Sequence, residues 1–126
     1  MQNFGSEPSE YGIKWESPLL SIEDDWEIPD LYAGLDEKFD SVKEGLMKAA
    51  NGTKRMDAKL YLSHLSASVG VLPIEAAAGT RNGSVAGIND RTGMWLRGVG
   101  EGIERVGVVI LDFPGRELIR QVLGRN

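Results

Sequence analysis

Apolar residues occur along the chain in short continuous runs and in runs with helical spacing. The longest continuous run lies in residues 105–115, RVGVVILDFPG, where Val106 to Leu111 are β-branched or aliphatic apart from one glycine. Such a run predicts a strand buried on both faces, as in parallel sheets covered by helices. Leu118, Ile119, Val122 and Leu123 then recur at helical spacing. The segment therefore predicts a strand, a loop that begins with Asp112, and a helix.

Asp112 has two interpretations that its position in the sequence leaves open. Ligands and catalytic groups gather at the carboxyl ends of strands in α/β folds, and Asp112 follows such a strand. Aspartate is also a good helix N-cap, which would make the same residue a structural cap of the last helix.

Two further strands are predicted upstream. Residues 18–23, PLLSIE, end in the acidic cluster Glu23-Asp24-Asp25, which Trp26 follows. Residues 59–65, KLYLSHL, end in the small polar segment 66–70. Both strands therefore have polar side chains after their last apolar residue.

The clearest helix is predicted over residues 36–50, with Asp36 as N-cap and Asn51-Gly52 as the stop. Its apolar face contains Phe39, Val42, Leu46 and Ala49 or Ala50, and Glu37, Lys38, Lys43 and Lys48 are predicted to lie mainly off that face. Residues 73–87 are typical of a long loop with a helical turn at 74–78, and another helix is predicted from Asn89 or Asp90 to Val99.

The predicted strands begin near residues 19, 60 and 106, so a β/α unit repeats about every 40 residues. Such a repeat favours a parallel sheet with right-handed crossovers. Three units are too few to close a barrel of eight. The fold class predicted is therefore α/β, with about three β/α units of a TIM-type barrel, in a single partial domain over 1–126 with an irregular lead-in at 1–17.

Composition narrows the classes of function. The 126 residues carry a formal net charge of -5 without a Lys/Arg cluster, so nucleic acid is not an expected partner. The chain has no cysteine, which excludes disulfides, cysteine nucleophiles and thiolate metal sites. No apolar run approaches 18 residues, and the polar start of the chain lacks the features of a signal peptide.

The acidic cluster beside Trp26 suits a polyhydroxylated ring, because carboxylates accept hydrogen bonds from hydroxyls and an indole face covers C–H surface. The alternative is a solvated acidic turn with the indole folded back onto the core. His64, the single histidine, is predicted to lie inside its strand as a packed, hydrogen-bonded residue rather than as a general base.

Three segments, LLSIEDDWEI, LYLSHLSASVG and RVGVVILDFPG, resemble in order and spacing the C-terminal part of the phosphatidylinositol-specific phospholipase C family of bacterial and fungal type. The resemblance covers about residues 12–126. It implies a distorted TIM-type barrel that cleaves phosphatidylinositol or glycosyl-phosphatidylinositol lipids by acid–base catalysis with two histidines. By position, Asp24 would bond inositol hydroxyls, Trp26 would stack on the ring, and Asp112 would orient the catalytic base.

The chain departs from the family pattern in its catalytic groups. The family's two histidines and its phosphate-binding arginine lie on earlier strands, and His64 stands where the family usually has an aromatic or apolar residue. The resemblance thus implies a C-terminal portion that is inactive alone. The calcium-dependent members have their metal ligands upstream, so neither a metal site nor a cofactor is predicted here.

The partners implied are an inositol-containing lipid, a membrane surface contacted only through that substrate, and further copies of the chain along the open barrel. By resemblance the location would be secreted or membrane-peripheral. Two other functions stay open: a non-catalytic inositol- or sugar-binding module, and a glycosidase with Asp24 and Asp112 as its acid pair. The glycosidase requires carboxyl groups about 5 to 10 Å apart.

Overall fold

The computed structural model describes Lys14 and residues 17–126, except for the side chains of Thr53 and Glu101. Most of the predicted lead-in at 1–17 therefore lies outside the described residues. The elements, in chain order, are β1 (Leu20–Glu23), α1 (Ala33–Lys54), β2 (Leu60–His64), α2 (Pro73–Ala78), α3 (Ile88–Val99), a 3-10 turn (Gly100–Gly102), β3 (Val108–Ile110) and α4 (Arg116–Leu123).

The three strands lie side by side in chain order and all run parallel. Glu23 is paired with Ser63 across β1 and β2, and His64 is paired with Ile110 across β2 and β3. The repeated β/α unit predicted from the sequence is thus confirmed. Among the residues described, β1 and β3 each have a strand neighbour on one side only, so the sheet is open.

The helices cover one face of this sheet. α1 packs on β1 and β2, while α3 packs on α1 and α4. Glu23 and Ser63 are buried beneath α1, whereas Val108 and Ile110 are 44% and 39% exposed. The prediction that the run from Val106 to Leu111 forms a strand buried on both faces was wrong. Its strand is only three residues long, and no helix of the described chain covers the second face.

Helix α1 begins earlier than the sequence pattern predicted. Asp30 Oδ1 accepts hydrogen bonds from the backbone N–H groups of Tyr32 at 2.7 Å and Gly34 at 3.2 Å, which satisfies donors at the helix start. Asp36, the predicted N-cap, instead lies in the first turn and forms a 2.6 Å ion pair with Arg91 of α3. That prediction was wrong because a better-placed aspartate lies six residues upstream.

Helix α1 also continues through the predicted stop at Asn51-Gly52 and ends at Lys54. Gly52 is buried against Tyr61 of β2, and a Cβ at this position would overlap the tyrosine ring. The glycine is therefore required by the close approach of α1 to β2 rather than by a turn.

The remaining helices agree with the pattern of the sequence. The helical turn predicted at 74–78 is α2, and the helix predicted from Asn89 or Asp90 begins one residue earlier, at Ile88, and ends at Val99 as expected. Within residues 17–126, no helix has both the length and the apolar character needed to cross a membrane.

Candidate functional site

The predicted site residues lie at one edge of the sheet. Asp24 directly follows β1, and Asp112 comes two residues after β3. Because the strands are parallel, their carboxyl ends share an edge, so both acids lie on the side where α/β proteins bind ligands. Trp26 follows Asp24 at the same edge.

Trp26 presents its ring outward while its backbone is held. The side chain is 44% exposed, so the alternative in which the indole folds back onto the core was wrong. The backbone N–H of Ser68 donates to the Trp26 carbonyl at 2.8 Å, and that of Ile28 donates to the Ser68 carbonyl at 3.1 Å. These hydrogen bonds join the loop after β1 to the loop after β2.

Glu23 does not belong to a solvated acidic cluster. Its carboxylate is buried, and Lys38 Nζ donates to Oε1 at 2.8 Å and to Oε2 at 3.0 Å. Ser41 Oγ and the backbone N–H of Asp25 donate to the same Oε1, at 3.0 and 3.1 Å. The predicted cluster therefore divides into one structural acid, Glu23, and two exposed acids, Asp24 and Asp25.

Lys38 is fully buried, contrary to the prediction that it lies mainly off the apolar face. Besides the Glu23 carboxylate, its ammonium donates to the backbone carbonyl of His64, so its three donors are all used. A signal was present in the sequence, because Lys38 lies three residues after Leu35 and four before Val42, on the same stripe of the helix. One ammonium thus fastens the ends of β1 and β2 to α1.

His64 is the last residue of β2, so it lies within the strand as predicted, at the carboxyl end. Its imidazole Nδ1 is 3.5 Å from Oδ1 of Asp24, which is an ion-pair distance when the ring is protonated. The two side chains are 22% and 37% exposed. The histidine therefore belongs to the edge that carries the candidate site.

Asp112 is exposed and does not cap α4. Gly115 occupies the N-cap position, without a capping side-chain hydrogen bond, so the capping interpretation was wrong. Within the described part of the chain the Asp112 carboxylate makes no hydrogen bond or ion pair. Its assignment as a catalytic group stays a prediction.

The loop that carries Asp112 is held from α3 by a residue that the sequence did not reveal as part of the site. Asn89 is 2% exposed, and its Nδ2 donates to the carbonyls of Asp112 at 2.7 Å and Phe113 at 3.0 Å. Phe113 has φ +47°, a left-handed conformation that a non-glycine residue rarely adopts. Asn89 therefore stabilises a sharp turn immediately after the exposed acid.

No group of three or more His, Cys, Asp or Glu side chains that could hold a metal ion occurs among the described residues. The expectations of no metal site and no cofactor stay predictions.

Within the described residues, three consecutive parallel β/α units form an open sheet with acids at its carboxyl edge, which is the arrangement of part of a TIM-type barrel. A solved phosphatidylinositol-specific phospholipase C from Listeria monocytogenes has a similar fold, with a TM-score of 0.64 and 23% sequence identity over 91% of this chain and 37% of that one. A 1-phosphatidylinositol phosphodiesterase of the same species is 26% identical over 117 residues, which are 92% of this chain and 32% of the relative.

No protein-family model matches the chain. The chain spans about a third of the length of the relatives it matches. The similarity confirms both the resemblance to the phosphatidylinositol-specific phospholipase C family and the partial barrel that were predicted from the three segments. The organisation as a single partial domain over 1–126 stays a prediction.

Proposed function

We propose that this chain contributes the inositol-recognising and base-orienting part of a phosphodiesterase that acts on phosphatidylinositol. The observation that carries the proposal is the position of Asp24, Trp26 and Asp112, which all lie at the carboxyl edge of the parallel sheet. Similarity to a phosphodiesterase whose name specifies phosphatidylinositol supports the substrate class.

In this proposal Asp24 and Trp26 bind the inositol ring of the substrate. The Asp24 side chain is 37% exposed and accepts hydrogen bonds from ring hydroxyls, while the half-exposed indole of Trp26 covers the C–H face of the ring. Both residues lie in one loop whose backbone is bonded to the neighbouring loop at Ser68.

Asp112 orients the imidazole of the catalytic base in the correct tautomer and stabilises its cationic form. Its carboxylate is exposed, and Asn89 holds its backbone from the other side. The two catalytic histidines would come from strands other than these three. His64 is not assigned to that pair, because it stands at a position that the resemblance gives to an aromatic or apolar residue.

The test is a chimera in which this chain replaces the matching segment of the Listeria phosphodiesterase. We expect the chimera to release inositol phosphate from phosphatidylinositol micelles, with the parent enzyme as the positive control and a thermal melt as the check of folding. A folded chimera without turnover would contradict the assignment.

Two substitutions in the chimera separate the proposed roles. Asp112→Asn should lower kcat by several orders of magnitude with little change in KM, as for the orienting acid of related triads. Asp24→Asn should mainly raise KM. Asp40→Asn, at an exposed position of α1, is the matched control and should change neither. Full activity of the Asp112→Asn chimera would show that Asp112 has no role in catalysis.

A non-catalytic inositol- or sugar-binding module is the second candidate, and the exposure of both Asp24 and Trp26 favours it because ring binding needs no histidine pair. Titration of the isolated chain with myo-inositol, followed by tryptophan fluorescence, tests this function. An unchanged affinity in Trp26→Ala would eliminate it.

The glycosidase alternative stays a prediction without support from a particular contact. Asp24 and Asp112 follow strands on opposite sides of β2. Strand spacing separates their backbones by about 10 Å.

A further inference from the structure

The imidazole of His64 and the carboxylate of Asp24 meet at the ends of neighbouring strands, 3.5 Å apart from Nδ1 to Oδ1. We propose that His64 is a positioning residue: its protonated ring holds one oxygen of Asp24 and so orients the carboxylate for the neighbouring hydroxyls of a cyclic polyol. The proposal rests on the proposed function, because it deepens the role of Asp24 in binding the inositol ring.

The strand register makes this pair a consequence of the sheet. Glu23 is paired with Ser63 on the face covered by α1, and both contact Gly45 of that helix. The next residues along the two strands are Asp24 and His64, which therefore emerge side by side at the carboxyl edge.

The backbones that carry the two side chains are fastened from the helix side. Lys38 donates to the carbonyl of His64 and to the carboxylate of Glu23, the residue just before Asp24. On the other side of Asp24, the backbone N–H of Asp25 donates to the same carboxylate. With both backbones held, the side-chain torsions of Asp24 and His64 are the main freedom that remains, and their mutual contact restricts it.

Asp24 lies at ion-pair distance from the imidazole, and other charged groups are positioned around the same strand ends. From β1, the Glu23 carboxylate faces α1 and is paired with Lys38. From α1, Lys38 meets the backbone carbonyl of His64. From β3, Ile110 is the residue paired with His64, and Asp112 is the next charged residue along that segment.

Protonation of the ring decides the strength of this contact. Histidine ordinarily changes charge between about pH 5 and 8, so the contact is an ion pair at the acidic end and a weaker polar contact at the alkaline end. A carboxylate has about four lone-pair sites, so its contact with the imidazole leaves the others for ring hydroxyls. The affinity for the inositol ring should therefore be higher at the acidic end of this pH range.

The binding experiment uses the 126-residue chain and myo-inositol, with affinity measured by calorimetry at about pH 5.5 and about pH 8. We expect wild-type affinity to be about five-fold higher at the lower pH, the effect of one partly exposed ion pair. His64→Asn keeps a neutral donor, and His64→Phe keeps only an aromatic ring. Each variant should bind myo-inositol with the same affinity at the two pH values. His64→Asn should bind it more tightly than His64→Phe.

A second measurement separates failure of this inference from failure of the proposed function. The chain has one histidine, so its ring C–H signals in the proton NMR spectrum report His64 alone. At a single pH their chemical shifts should change more in Asp24→Asn than in Asp25→Asn, because Asp24 is the acid that contacts the ring. Equal changes in the two variants would overturn the pairing whether or not inositol binds.

Two further combinations of the NMR and binding results also test the role of His64. A larger change in Asp24→Asn together with pH-independent inositol affinity would overturn positioning and leave the proposed function standing. A larger change in Asp24→Asn together with no inositol binding at either pH would overturn the role of His64 in ring recognition, while turnover by the chimera decides the proposed function separately.

Discussion

The ammonium of Lys38 lies 2.8 Å from the carboxylate of Glu23, and the two side chains are 0% and 5% exposed. Removal of one partner from such a buried pair leaves an uncompensated charge that cannot be solvated. We therefore expect Lys38→Met to lower the free energy of unfolding by about 3 to 5 kcal/mol. Urea denaturation followed by circular dichroism measures the change.

The surface pair of Lys48 and Glu44 in the same helix supplies the control. Its side chains are 59% and 64% exposed, so Lys48→Met should cost at most about 1 kcal/mol. The double variant Glu23→Gln/Lys38→Met should recover part of the loss, because no buried charge remains. Equal effects of Lys38→Met and Lys48→Met would show that the buried pair adds no stability.

Gly52 and Gly98 provide a second matched pair, since both are glycines within helices. A Cβ at Gly52 would overlap the ring of Tyr61, whereas a Cβ at Gly98 would have no neighbour within 4 Å. Gly98→Ala should stabilise the chain by up to about 1 kcal/mol, the usual gain of alanine over glycine in a helix. Gly52→Ala should instead destabilise it by about 1 to 3 kcal/mol through overpacking. Thermal melts that shift in the same direction would contradict the close approach of α1 to β2.

The hydroxyl of Tyr61 donates a 2.6 Å hydrogen bond to Asp57. This bond holds the pKa of Asp57 below its ordinary value of 3.8 and raises the pKa of Tyr61 above its ordinary 10.0. Because the pKa of the Asp57 carboxyl is lowered, its contribution to stability is present above about pH 3.8 and is lost as pH falls. Because the pKa of the Tyr61 hydroxyl is raised, its contribution is present below about pH 10 and is lost as pH rises. The contact therefore stabilises the chain across neutral pH.

The ultraviolet difference between wild type and Tyr61→Phe isolates the ionisation of this one tyrosine. We expect its midpoint to lie above 10.0 and to fall in Asp57→Asn, because the accepting carboxylate is gone. An unchanged midpoint in Asp57→Asn would mean that the hydrogen bond does not form in solution.

Self-association is expected from the uncovered face of the sheet. Val108 and Ile110 of the outer strand β3 are 44% and 39% exposed, and such apolar edges promote pairing with another chain. Sedimentation velocity should give an average mass that rises with concentration. Val108→Lys/Ile110→Lys should suppress the rise, whereas Met56→Lys, at an apolar residue that is 89% exposed outside the sheet, should not. A cooperatively unfolding monomer at all concentrations would contradict the expectation.

The sequence was sufficient for those elements whose signal is local. Short apolar runs located the strands, and the repeat of about 40 residues gave their parallel order. The placement of Asp24 and Asp112 at one edge followed from that order. The helix predicted from Asn89 or Asp90 succeeded for the same reason, because its apolar spacing lies within one segment.

The sequence failed where the deciding contact joins distant residues. Lys38 is buried because Glu23, fifteen residues earlier, supplies its counter-charge, and a lysine by itself indicates a surface position. Asn51-Gly52 resembles a helix stop until Tyr61 is placed beside the glycine. Asn89 gives no local sign that it bonds the backbone after Asp112, 23 residues later.

The single ammonium that joins β1, β2 and α1 also disfavours a misaligned β1 strand. A one-residue slip of β1 toward its carboxyl end would bring Ile22 to the position of Glu23. Successive strand residues face opposite sides, so the slip would direct the Glu23 carboxylate away from α1. Lys38 would then be enclosed without its counter-charge, and the helix could not dock until the strand returned to its proper alignment. The buried pair therefore favours the native register of β1 over this misaligned one.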